Sequence, residues 1–230
     1  MTIPPCHHRC LFIALVASMV WCVANAQDPV KVSPQHYKVE IENEYVRVLR
    51  SSGGGHERTP MHEHPSNVVV YLTDADVRVV DPDGSFKDSH RKRGDAVWNG
   101  PQKHERINLS DKSYELLQVE LKSGRSGVSA IAPTLDPLRV TPGQFVVLIE
   151  NESVRVIRSR AGPRAKAALH AHPPYVSIPL TDIFTKVTDE VGKSREAMRK
   201  AGTVTFNLAL KHSEENLSDE PFESILIELK

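Results

Sequence analysis

The sequence predicts an all-β protein built from two copies of one small sandwich or barrel. Three observations carry that prediction. The 230-residue chain matches itself when shifted by 108 positions. Of the 95 positions from Asp28 to Lys122, 39 are identical to those from Asp136 to Lys230, with no gap, against about 5–7 expected from average residue usage. Within each copy the hydrophobic period is mostly two, which suits strands. Turn signals recur at short intervals, and no amphipathic pattern exceeds two helical turns, which suits a sandwich or closed barrel.

The first segment, residues 1–26, stands apart. The run "LFIALVASMVWCVA" at 11–24 follows Arg9 and ends in the small residues "ANA" at 24–26. Its length suits the core of a signal peptide and falls short of a comfortable bilayer span. The expectation is a cleaved signal, with a periplasmic or secreted mature chain from Gln27; an uncleaved anchor helix is the alternative. No Arg-Arg pair is present, which favours the general secretory route. All three cysteines (Cys6, Cys10, Cys22) lie in this segment, so the mature chain has no disulfide and no thiolate ligand.

Unit one spans 27–122 and unit two 136–230. "DPVKVSP" at 28–34 aligns with "DPLRVTP" at 136–142, and "SGRSGVSAIAPTL" at 123–135 reads as a linker from its Gly, Ser and Pro content. "EYVRVLR" at 44–50 and "YELLQVELK" at 114–122 are strand candidates. Val68-Val69-Val70 reads as a strand buried on both faces. "DPDG" at 81–84 is a tight turn, and "SGGG" at 52–55 is a loop without the Lys-Ser/Thr partner of a phosphate cradle. "DEVGKSREAMRKAG" at 189–202 has a helix-like composition. Its counterpart at 81–94 carries Pro and Gly, so a hairpin is expected in both.

With 29 basic and 29 acidic residues, the chain gives no electrostatic reason to expect nucleic acid or, after signal cleavage, a membrane partner. Arg91-Lys92-Arg93 reads as a solvated loop. The expected partner is a small molecule, and the sequence leaves oligomeric state open.

The chemistry lies in histidines. On a strand, His62 and His64 share one face, and His104 follows 42 residues later. Unit two repeats the trio as His170, His172 and His212. A single histidine is more often a packed, satisfied side chain than a ligand. Nine histidines lie outside the leader. His36, His56 and His90 face Gln144, Arg164 and Met198 in the other copy, whereas the six at ligand-like spacing coincide. Three converging imidazoles suit a divalent transition metal with open positions. No Ser-His-Asp spacing or dinucleotide fingerprint competes with this reading.

This constellation resembles the cupin superfamily, as a tandem bicupin covering essentially the whole mature chain. Gly55, His62, His64 and Pro65 match the first cupin motif in order. Gly94, Pro101, His104 and Asn108 match the second, with a spacer one residue shorter. In unit two Gly202, His212 and Asn216 match, and Ala209 replaces the proline. One departure is clear. The family's glutamate ligand falls on Val68 or Val69, and on Val176 or Ser177 in unit two. The resemblance therefore implies two jelly-roll (double-stranded β-helix) barrels with three-histidine sites. It implies Fe, Mn, Zn, Cu or Ni as cofactor, and a dioxygenase-like or isomerase-like activity on a small oxygenated substrate. A non-catalytic module that binds a small ligand or metal is the alternative.

Two residues beyond each third histidine stand Arg106 and Glu214, which alternation would point inward. Charged side chains more commonly face solvent. If inward, Arg106 suits an acid and Glu214 offers a replacement carboxylate. Asn67 and Tyr175 occupy equivalent places beside the pockets, as ligand contacts or core cover. Trp98 and Phe206 are equivalent and expected in the core.

Overall fold

In the computed structural model, residues 27–123 and 131–230 are described. The expected signal segment, 1–26, lies outside them, as does the stretch 124–130 of the expected linker. Unit one runs α1 (Pro29–Val32), β1 (Tyr37–Glu42), β2 (Val46–Gly53), β3 (Arg58–His64), β4 (Asn67–Tyr71), β5 (Ala75–Val80), β6 (Phe86–Arg91), β7 (Ala96–Asn99), β8 (Gln102–Asn108) and β9 (Tyr114–Leu121). Unit two follows as α2 (Pro137–Val140), β10 (Phe145–Glu150), β11 (Val154–Ala161), β12 (Lys166–His172), β13 (Tyr175–Pro179), β14 (Ile183–Asp189), β15 (Ser194–Arg199), β16 (Thr205–Asn207), β17 (Leu210–Asn216) and β18 (Phe222–Leu229).

Each unit is a five-stranded sheet packed on a four-stranded sheet. The orders are β1-β2-β9-β4-β7 over β3-β8-β5-β6, and β10-β11-β18-β13-β16 over β12-β17-β14-β15. All strand pairs are antiparallel, giving two tandem jelly rolls. The 189–202 stretch is a hairpin, β14 paired with β15, as its counterpart's Pro and Gly require.

Alternation along the five-stranded sheets explains the core. On β4, Val68 and Val70 turn towards the other unit, while Val69 and Tyr71 turn into the barrel. The run is therefore buried on both faces. Val48 and Val119 of unit one join Val156 and Ile227 of unit two in one shared core, and all four are fully buried. Burying such side chains stabilises by about 1.5–3 kcal/mol each. Trp98 and Phe206 pack against this shared core, and Phe206 stacks on Tyr45 of unit one at 5.2 Å between ring centroids.

Two glycines complete the contact. Gly94 (φ +87°) and Gly202 (φ +76°) adopt left-handed backbone that disfavours a side chain. Their carbonyls accept hydrogen bonds from the opposite unit. Arg158 Nη2 donates to Gly94 O and Arg50 Nη2 to Gly202 O, each at 2.6 Å. The reciprocity is that of a pseudo-twofold axis.

Candidate metal centres

A β-bulge sets the histidines. In the β3–β8 pair, Thr59 faces Arg106 and His62 faces His104, so three steps on β3 oppose two on β8. The extra residue lets Thr59, His62 and His64 all point inward. Unit two repeats the device, with Ala167 facing Glu214 and His170 facing His212. The ring centroids of His62, His64 and His104 lie 4.8, 4.6 and 5.5 Å apart. Those of His170, His172 and His212 lie 4.9, 4.5 and 5.5 Å apart. One ring nitrogen from each member of a trio lies within 4.8 Å of the others.

Hydrogen bonds behind the rings fix which nitrogen faces inward. A carbonyl can only accept, so His62 Nδ1–H donates to Pro60 O (2.6 Å) and His170 Nδ1–H to Ala168 O (2.7 Å). Nε2 then carries the lone pair. His64 Nδ1 lies 2.6 Å from Glu120 Oε1, and His172 Nδ1 lies 2.6 Å from Glu228 Oε1. His64 Nε2, both nitrogens of His104, and His212 Nε2 are buried without a partner. Orphaned buried nitrogens are costly, and a cation between them satisfies them. Burial lowers His62 and His64 to about 3 and His170 to about 4, and pushes His104 and His212 down as well. These rings are neutral at pH 7, as ligands must be. The donor set fits a divalent transition metal in both units.

The carboxylates behind His64 and His172 were not singled out by sequence reading. Arg47 bonds Asp28 at 2.9 Å and lies 3.7 Å from Glu120. Arg155 bonds Glu228 at 2.6 Å and Asp136 at 2.9 Å. Asp28 and Asp136 also cap α1 and α2 through the Val30 and Leu138 amides. All six residues are identical across the repeat, which was the available signal. Burial raises Glu120 to about 7, opposed by Arg47. Of the motif positions that lack a glutamate, Val69 and Ser177 turn into the barrels and line the cavities beside the imidazoles. Val68 and Val176 belong to the shared core.

The cavities beside the two trios differ. In unit one a cavity of about 350 Å³ reaches His104 and Arg106. Arg106 is 4% exposed, with Nε and Nη1 buried and unpartnered. The expectation that a charged residue here faces solvent is overturned, because β8 alternation carries His104, Arg106 and Asn108 to one side. In unit two a cavity of about 370 Å³ is lined by all three histidines, Tyr175 and Glu214. Glu214 is inward too, and accepts from Arg199 Nη2 at 3.3 Å. Tyr175 lies 4.9 Å from the His172 ring, between centroids. Asn67 is buried within a network of its own. Its amide donates to Pro65 O, and its carbonyl accepts from Asn99. Asn108 and Asn216 tie loops together through backbone carbonyls.

One contact reaches a ligand nitrogen in unit one alone. Tyr37 Oη donates to His62 Nε2 at 2.9 Å. Its counterpart, Phe145, has no hydroxyl to offer His170.

No protein-family model matches the chain, and no curated protein does. Solved structures do match. AerE from Microcystis aeruginosa is similar at a TM-score of 0.64 and 12% identity, over 89% of this chain and 97% of that one. Bacillus subtilis oxalate decarboxylase, described with Mn(II) centres, is similar at a TM-score of 0.55 and 16% identity, over 88% of this chain and 71% of that one.

Proposed function

Starting from a chain with the tandem cupin fold, we propose that each unit holds one divalent transition metal on its three histidines, and that the protein is a metal-dependent enzyme acting on a small oxygenated substrate. One observation carries this reading. In both copies three inward imidazoles converge, with buried, unpartnered nitrogens on His64 and His104 in unit one and on His212 in unit two, and hydrogen bonds behind the paired β3 and β12 histidines set their lone pairs. The metal, when bound, supplies Lewis acidity towards substrate oxygens and, if redox-active, reactivity towards dioxygen.

The chain's own groups do the rest. Pro60 O and Glu120 hold the orientation of His62 and His64, and Ala168 O and Glu228 do the same in unit two. Three neutral ligands leave the cation at full charge, which favours an anionic or enolisable oxygen ligand. Manganese is supported by the Mn(II) centres named for the Bacillus subtilis neighbour, and Fe, Zn, Cu and Ni suit the same donors. The apolar leader and the small residues "ANA" at 24–26 support export.

The test is elemental analysis of purified protein beside His62→Ala and His170→Ala. Close to one metal per unit is expected, and each variant should lose one. Equal trace metal in all three would refute the reading. In metal-loaded protein, a spectral change on admitting dioxygen would mark the oxygen-dependent branch.

A further inference from the structure

Both cavities are lined by more basic than acidic groups, and they differ at one inward position, Arg106 in unit one and Glu214 in unit two. In unit two, Glu214 supplies a carboxylate to Arg199, so that pair is neutral. In unit one the residue at Glu214's place is Arg106, and the residue at Arg199's place is Arg91. Both guanidiniums line the same cavity. Arg106 Nε and Nη1 are buried without a partner, and among the described residues Arg106 forms no ion pair; Arg91 Nε and Arg199 Nε are orphaned alike, so Arg106 is the group that sets unit one apart. Asp81, the acidic residue on that cavity wall, is exposed and belongs to the Asp81–Gly84 turn, where it engages Ser85. A guanidinium cannot shed its proton to escape burial, so the vacancy is for an anion.

The surroundings changed with the charge. Arg106 lies among Tyr37, Tyr71 and Tyr114, its Cζ 6.0 Å from the Tyr114 ring centroid. The equivalents of those phenols are Phe145, Pro179 and Phe222. Gln118, buried with neither amide atom partnered, is replaced by Leu226. At these four positions unit one carries hydrogen-bonding groups and unit two apolar ones, while Val69 and Leu116 of unit one are replaced by Ser177 and Ser224 in unit two.

We propose that unit one is the acid-binding half, in which Arg106 and Arg91 receive the carboxylate of a small carboxylic acid beside the His62–His64–His104 centre. In unit two Glu214 pairs with Arg199, and Arg195 on the same wall is exposed to solvent, so that cavity holds no fully buried guanidinium without a carboxylate and is the weaker acid site. The proposal deepens the metal reading and rests on it for the placement of the acid's other end. Carboxylate is favoured over phosphate because the sister copy fills the equivalent place with one carboxylate, Glu214.

The test is calorimetric titration of malonate and lactate, with malonamide and lactamide as uncharged counterparts and inorganic phosphate as the competing oxyanion. It uses both zinc-loaded and chelator-stripped protein. Wild type should bind the acids at least tenfold more tightly than the amides or phosphate. Arg106→Gln should weaken acid binding at least thirtyfold at unchanged zinc content, Arg106→Lys should keep most of it, and Glu214→Gln should leave the Arg106-dependent binding unchanged while freeing Arg199 for a second, weaker event. Without acid, Arg106→Gln should melt at or above the wild-type temperature, because it removes an unpaired buried charge. Acid should raise the melting temperature of wild type and leave that of Arg106→Gln unchanged. Binding of the acids by Arg106→Gln as by wild type, equal binding of amides, tighter binding of phosphate, or no acid binding by wild type would each overturn the proposal. So would a lower melting temperature for Arg106→Gln with acid affinity intact, which would mark a purely structural arginine. Protein without metal whose acid binding still needs Arg106 would sink the metal reading and keep this one. Full metal content with indifference to acids would do the reverse.

Discussion

Glu120 Oε1 stands 2.6 Å from His64 Nδ1, and 108 residues later Glu228 Oε1 stands 2.6 Å from His172 Nδ1. These carboxylates do not replace the family's missing glutamate ligand. They sit behind His64 and His172, on β9 and β18, where they would act on a bound metal through the imidazole. A carboxylate in that position fixes the tautomer and makes the inward nitrogen, Nε2, more basic.

The first prediction follows from that placement. Glu120→Gln should leave the fold and the His62–His64–His104 arrangement intact, yet weaken zinc at unit one by about 10–100-fold. Glu228→Gln should do the same at unit two. Titration against a chromophoric chelator resolves the two sites. Affinity unchanged in both variants would show that the carboxylates serve only to anchor Arg47 and Arg155.

Tyr37 makes the units unequal. Its hydroxyl occupies His62 Nε2, the nitrogen a cation needs, and Phe145 leaves the matching place free. Tyr37→Phe should lower the stability of metal-free protein by about 1 kcal/mol, the net worth of one hydrogen bond. It should also raise zinc affinity at unit one severalfold, because a competing donor is gone. Phe145→Tyr should have the opposite effect at unit two. Weaker zinc binding in Tyr37→Phe would instead make the phenol a supporting oxygen.

Much of this was legible before any coordinates. The repeat gave the doubling, period two gave the strands, and coincidence across copies separated six histidines from three. The β3 bulge was not legible. Pro60 hints at a broken ladder, but its counterpart is Ala168, so the signal is absent from half of the repeat. Glu120 was hidden by distance, 56 residues from the ring it holds. Arg106 was hidden by a sound general rule, that charges avoid interiors, which fails where a cavity awaits an opposite charge.

The pH dependence of metal-free stability has a definite sign. Between about pH 6.5 and 3 the unfolded chain protonates histidines that the folded barrels keep neutral. Burial holds His62 and His64 at about 3 and His170 at about 4, and lowers His104 and His212 too. The unfolded state binds more protons, so stability rises with pH across that window and is lost as pH falls. Each excluded proton contributes up to ~1.4 kcal/mol per pH unit. Glu120 opposes this. Raised to about 7, its contribution is complete below its ordinary 4.5 and lost as pH rises through 7. Five rings outweigh one carboxylate. Melting temperature should therefore fall steadily from pH 7 to pH 5, and a flat profile would show that the rings are hydrated and unperturbed.

The last prediction concerns the shared core. Val119 and Ile227 are fully buried at equivalent positions of β9 and β18, in the core common to both five-stranded sheets. Their neighbours Glu120 and Glu228 point the other way, into the barrels behind His64 and His172. One strand thus carries both the contact between units and the support of the metal ligand. Ile227→Ala should destabilise by about 2–4 kcal/mol, from lost burial and the cavity left behind. A shift of β18 would move Glu228 with it, so zinc affinity should fall at unit two and stay unchanged at unit one. Denaturant unfolding gives the first quantity and chelator competition the second. If stability drops while both affinities hold, the interface and the site are mechanically independent, and β18 does not transmit between them.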